Sequence, residues 1–194
     1  MTPRKIVITG GPGSGKTVIT RRITELDPRF VAVPEAATQI YTMLQTRWDK
    51  LDLAGRHDAQ RRMFELQRDQ EARLAAAHPD KILLLDRGTV DGAAYWPEGP
   101  EAFWRDRHTT HAAEIARYDA VILLETAAAI GLYDGDLSNA VRFETGDAAV
   151  AAGNLLRELW SGHPHLHFIA AYEKFDEKVA AVQAVLNALL QHAD

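Results

Sequence analysis

Gly10, Gly15, Lys16 and Thr17 fall at the spacing G-x-x-x-x-G-K-[ST] within GGPGSGKT, residues 10 to 17. Each residue type there suits one task in gripping a nucleoside triphosphate. Glycines let the backbone bend around phosphates with its N–H groups turned inward. Lys16 has the reach and charge for the β- and γ-phosphates, and the Thr17 hydroxyl is a ligand for Mg²⁺. The grip runs through Gly11, Pro12, Gly13, Ser14, Gly15, Lys16, Thr17 and Val18, where a helix expected to begin near Thr17 adds its positive N-terminal end. The expected cofactors are therefore ATP or GTP with Mg²⁺. What remains to be decided is where the terminal phosphoryl group goes.

Three further positions bear on that question. ILLLDRG (82 to 88) is an apolar run ending in Asp86, the kind of carboxylate that Mg²⁺ needs at a sheet edge. The next residue is Arg87, where an ATPase doing mechanical work commonly has Glu to polarise water. A guanidinium stays protonated and is no general base, but its planar fork suits an anionic or hydroxyl-bearing ligand. Arg87 also has a plainer reading, a salt bridge to Asp91 or another edge carboxylate. Glu35 in VPEAA either accepts a proton from an attacking hydroxyl or sits in the first turn of a helix over 35 to 48, complementing its dipole. Between Tyr118 and Leu156 the single cation is Arg142. It is either the charge that a closing lid brings to the transferring phosphoryl group or a surface partner of Glu144.

GGPGSGKT, PEAA, DRGTVD and VRFET, in this order, resemble the bacterial P-loop ATPase/kinase family labelled as an AAA-type domain. That family is similar to the ribosylnicotinamide kinase domain and, more distantly, to nucleoside and nucleotide kinases. The likeness runs from about residue 4 to the last strand. It implies a P-loop kinase fold, Glu35 as base for a hydroxyl, an Asp86–Arg87 pair, and a lid in which Arg142 and Glu144 are functional beside Tyr133 and Asp134. Nucleotide-kinase lids usually carry more than one arginine. Here Arg87, Arg117 or Arg157 supplies the second, or the acceptor is uncharged and needs less compensation.

The elements that must position these residues read as strands alternating with helices. Apolar runs occur at KIVITG (5 to 10), FVAVPEA (30 to 36), ILLLDRG (82 to 88), AVILLE (120 to 125) and HLHFIAAY (165 to 172). Near-continuous Ile, Val and Leu suits parallel strands covered on both faces. The expectation is a single α/β domain, three layers α/β/α around a five-stranded parallel sheet, with a helical insertion over about 37–80 and a lid over about 126–145. Phe175, Val179, Val182, Leu186 and Leu189 give the last helix one apolar stripe toward the sheet.

Composition narrows the partners. A formal charge of -5 and a pI near 5.9 provide no global field for nucleic acid, so a small-molecule acceptor is expected. The absence of cysteine excludes thiolate chemistry, and no apolar run reaches the length of a membrane span, which makes a cytoplasmic protein the expectation. The oligomeric state is left open. His108, His111 and Glu114 read as a solvated helix face rather than a metal site, and His163, His165 and His167 offer no stronger case. Tyr95, Trp96 and Trp104 either stack on an acceptor ring or pack helices over the sheet. The rival function is a nucleotide-dependent switch with a protein or membrane partner. The guanine signature N-K-x-D is missing where the fourth strand ends LLETAAA, and a ring-forming remodelling ATPase lacks room for its helical lid domain.

Overall fold

The computed structural model describes residues 3–132 and 145–191. Its centre is a parallel sheet in the order β2-β3-β1-β4-β5, formed by β1 (Lys5–Gly10), β2 (Phe30–Val33), β3 (Ile82–Asp86), β4 (Ala120–Leu124) and β5 (Leu166–Ile169). The register pairs Ile8 with Asp86 on one side of β1 and with Ile122 on the other. All four pairings are parallel.

The continuous apolar runs resolve into two faces because successive strand side chains point opposite ways. Ile6, Ile8, Leu84, Ile122 and Leu124 pack with Ile19 and Ile23 of α1 (Lys16–Leu26) and with Val179, Val182 and Leu186 of α7 (Phe175–Gln191). Val7, Leu83, Leu85, Val121 and Leu123 meet Phe64, Phe103 and Trp160 on the other face. Those three belong to α3 (Leu53–Ala77), α4 (Pro100–Asp106) and α6 (Gly146–Trp160). The result is the expected three-layer α/β/α fold. α5 (His111–Ile115) completes the second layer.

Between β2 and β3 the helical expectation breaks into two helices, α2 (Ala36–Met43) and α3. α2 stops five residues short of the expected 48. Gln45 takes a left-handed φ of 49°, and the N–H of Thr46 reaches back to Tyr41 O at 3.1 Å, closing the helix end with a left-handed turn. Asp52 then caps α3, its Oδ1 accepting from Gly55 N at 2.8 Å. Among the described residues no helix is long and apolar enough to cross a membrane.

Parallel strands put every carboxyl end on one edge, and β1 lies between β3 and β4. The segments leaving those ends, after Gly10, Val33, Asp86 and Leu124, therefore meet in one crevice.

Candidate active site

The loop after β1 wraps through Gly13 and Gly15 at φ 70° and 85°, left-handed values that a side chain resists. At Gly15 a Cβ would also meet Phe175 Cε2 at 2.6 Å. α1 starts at Lys16, so its first N–H groups face the crevice. Lys16 is buried and folds back over the loop, its Nζ 3.0 Å from Gly11 O and 3.2 Å from Ser14 Oγ. Val18 is half exposed on the outer side of the same turn.

Asp86, at the end of β3, accepts from Thr17 Oγ1 through Oδ2 at 2.5 Å. Its other oxygen, Oδ1, is buried with no hydrogen-bond partner among the described residues. Burial raises the Asp86 carboxyl above its ordinary range and Glu35 adds to this, against the pull of Lys16, the Thr17 hydroxyl and Arg87. A hydroxyl and a carboxylate with an unfilled oxygen form a hard oxygen donor set. Mg²⁺ bound by one or two protein oxygens, with phosphates and water completing its shell, suits it.

Arg87 is the neighbour of Asp86 and lies at the floor of the crevice at φ 79°, a left-handed conformation costly for a residue with a side chain. Hydrogen bonds hold it there: its N–H donates to Ile8 O at 3.0 Å, and its carbonyl accepts from Gln67 Nε2 at 3.2 Å. Its guanidinium donates to Glu35 Oε1 at 2.7 Å and to Asp91 Oδ2 at 3.2 Å. Burial opposes its charge, but Tyr95, Glu35 and Asp91 more than offset this and hold it protonated. Asp91 is satisfied in turn by Thr9 Oγ1 at 2.6 Å and Trp160 Nε1 at 2.8 Å. Glu35 sits at the N-cap of α2, but its side chain makes no cap bond. Its Oε2 accepts from Thr38 Oγ1 at 2.6 Å.

The AAA domain family matches residues 5–178. This chain belongs to that family. No curated protein sequence matches the chain at a significant level. Among solved structures, thymidylate kinase from Ehrlichia chaffeensis superposes with a TM-score of 0.63 at 15% identity, over 96% of this chain and 100% of that one. The NadR protein in complex with NAD and AMP-PNP gives 0.64 at 16% identity, over 95% of this chain. This AAA domain spans about half of NadR, 49% of that chain. Likeness at these identities is likeness of fold, which this AAA domain shares with that thymidylate kinase and with NadR.

Beside Arg87 the AAA domain has a cavity of about 140 Å³ between the phosphate loop, α2, α3 and the turn after β3. Its walls include Pro12, Tyr41, Trp48, Phe64 and Tyr95. Gln60 also lines it, with its side chain buried. Trp96 and Trp104 instead pack against Phe103 in the core, so of the three aromatics singled out in the sequence only Tyr95 faces the cavity.

Several expectations need correction. His108 lies in the turn after α4 and His111 opens α5, so they share no helix face. Glu114 is buried, not solvated: it accepts from Thr89 Oγ1 at 2.7 Å and Thr109 Oγ1 at 2.8 Å, and pairs with Arg117. His163 bonds Tyr118 O through Nε2 and accepts the His165 N–H through Nδ1, which leaves no ring nitrogen for a metal. Among the described residues no cluster of His, Cys, Asp and Glu could hold a metal ion. Arg117 is engaged by Glu71 and Glu114, and Arg157 lies over Phe168, so neither is turned to the phosphate loop. Arg142 and Glu144, with Tyr133 and Asp134, lie outside the described residues.

The salt bridge from Arg87 to Asp91 offered by the sequence is present at 3.2 Å, and what sequence reasoning missed is its extension to Glu35, Thr9 and Trp160. Sequence reasoning also missed Gln60 and Gln67, glutamines on the buried face of α3. Lys178 went unnoticed inside the apolar stripe of α7, where a lysine at a core-facing position was the available signal.

Proposed function

We propose that this protein is a kinase that moves the γ-phosphoryl group of ATP, or of GTP, to a hydroxyl of a small ring-bearing metabolite seated in the cavity beside Arg87. The reading is carried by one observation: the residue after Asp86 is a guanidinium locked between Glu35 and Asp91 at the floor of a cavity. A site built for water would need a carboxylate free to polarise it there. A cavity of about 140 Å³ matches the roughly 150 Å³ that takes up a benzene ring. Aromatic walls offer that ring a stacking surface, and the Gln60 amide offers a donor and an acceptor to its edge.

Thr17 and Asp86 would hold Mg²⁺, which when bound neutralises charge on the β- and γ-phosphates. Lys16 swings from Gly11 O to the same phosphates. Glu35 is aimed by Arg87 and Thr38, and it takes the hydrogen bond of the attacking hydroxyl. Its carboxylate takes up the proton that the hydroxyl gives as it attacks. That thymidylate kinase and a NadR complex with AMP-PNP share the fold supports a nucleotide donor. Arg142 would add its charge to the transferring group from the segment after β4, as the sequence suggests.

An acceptor screen tests the reading. Protein, Mg²⁺ and ATP or GTP are incubated with pooled nucleosides, nucleotides and sugars, and phosphorylated products are sought by mass spectrometry. The expected result is a product absent with Lys16→Ala. Nucleotide binding with no product from any pool would favour the nucleotide-dependent switch instead.

A further inference from the structure

One buried cation has no part in the chemistry above. Lys178 is 4% exposed on the first turn of α7, and its Nζ donates to Ser14 O at 2.9 Å and to Glu125 O at 2.6 Å. It ties three elements together: the last helix, the phosphate loop and the end of β4.

The neighbouring loop carbonyls are also held from the β4 side. Thr126 Oγ1 donates to Pro12 O at 2.6 Å, and Ala127 N to Gly13 O at 3.4 Å. In a planar trans peptide the C=O and the following N–H point in opposite directions. Fixing the carbonyls of Pro12 and Ser14 outward therefore turns the N–H groups of Gly13 and Gly15 toward the inside of the loop, where a phosphate is gripped, while the Ser14 N–H closes a turn onto Gly11 O at 3.3 Å. Of the three anchors only Lys178 is charged.

We propose that Lys178 is a positioning residue for the donor: its ammonium pins Ser14 to the end of β4, and a triphosphate is held at full affinity only while that ammonium is charged. The proposal rests on the donor half of the function above, that this loop binds a nucleoside triphosphate. Charge matters in two ways. A charged donor holds a carbonyl more strongly than a neutral amine does. It also places positive charge directly behind the loop.

The surroundings make that charge titratable. Burial pulls Lys178 down to about 8, against the attraction of Glu125 at the end of β4. In the loop, Lys16 bonds Ser14 through the hydroxyl. On α7 itself, Glu177 pairs with Lys174 at the surface. Below the Lys178 pKa the ammonium is present with or without nucleotide. Above it the free protein holds a neutral amine, and a bound triphosphate, being negative, draws the proton back. Binding then takes up a proton, and affinity falls with rising pH by at most about tenfold per unit.

The test is the dissociation constant of a fluorescent ATP analogue with Mg²⁺ from about pH 7 to about 9.5, a range spanning that transition. Wild type, Lys178→Arg and Lys178→Met are compared. Wild-type affinity should hold near pH 7 and drop about tenfold or more by the alkaline end. Lys178→Arg, always charged, should show a flat profile. Lys178→Met should bind weakly and without pH dependence, with wild-type far-UV circular dichroism. A flat wild-type profile, or the wild-type slope persisting in Lys178→Arg, overturns the proposal while leaving the donor reading intact. A wild type that binds no nucleotide at any pH overturns both.

Discussion

The two ends of the crevice, proposed above as donor and acceptor ends, are built in different ways. The donor end is mostly backbone: a loop of eight residues, bent at glycines, with its carbonyls held by Thr126, Ala127 and Lys178. The acceptor end is mostly side chain: Glu35 after β2, Arg87 after β3, Asp91 a turn later, Thr9 from β1 and Trp160 from α6 form one buried polar network. A backbone site grips what all nucleotides share, whereas a side-chain site can be re-specified residue by residue. On the proposed function the donor grip is accordingly general, and specificity belongs to the acceptor floor.

Breaking each end should give opposite signatures. Lys16→Ala should cost the most in turnover, about 10³-fold or more, since it removes the charge that meets the transferring group. Its thermal midpoint should barely move, as measured by calorimetry beside steady-state kinetics. Arg87→Met should do the reverse first. It strands Glu35 and Asp91 as buried carboxylates, both under one-tenth exposed, and should destabilise the fold by about 3–5 kcal/mol in a denaturant titration.

Gly15→Ala probes the backbone of the donor end alone. The added methyl meets a left-handed φ of 85° and the Phe175 ring, a strain of about 1–3 kcal/mol. Nucleotide affinity should fall while the KM for the acceptor stays put. Gln60→Leu probes the acceptor end alone. Loss of the amide should raise the acceptor KM about tenfold, the worth of roughly one hydrogen bond, and leave nucleotide affinity unchanged.

The smallest effect lies outside both ends. Hydrogen bonding from Arg61, with Arg107 beside it, pulls the Asp106 carboxyl down to about 2. A depressed carboxylate stabilises the fold at pH values above its ordinary 3.8, and that contribution is lost as pH falls through about 2. Asp106→Asn should remove this acid dependence from a urea titration. It should cost less at neutral pH than any change above, because the pair is largely solvated.

The two ends also differed in how far they could be read from sequence. The loop was legible because its function is local: glycines, a lysine and a threonine at fixed spacing act on what lies beside them. The strands were legible because burial on both faces leaves runs such as ILLLD and AVILL, and the sheet follows from them. The Arg87 network joins residues 82 positions apart, Thr9 and Asp91, and no periodicity announces such a pair. Gln60 and Lys178 were hidden for a related reason. A polar residue on a buried helix face looks like imperfect amphipathicity until the fold shows what it faces. Glu114 misled in the opposite direction, since a carboxylate beside histidines on a short helix looks solvated until Thr89, Thr109 and Arg117 surround it.

The most direct test of the account follows the label of γ-³²P-ATP in a single turnover with the acceptor found by the screen, comparing wild type with Glu35→Gln. The account predicts that wild type places the label on the acceptor and not in inorganic phosphate, and that Glu35→Gln slows this transfer by about 10²-fold or more with nucleotide affinity preserved. Label appearing as inorganic phosphate at the same rate with and without acceptor, and in both proteins, would contradict it.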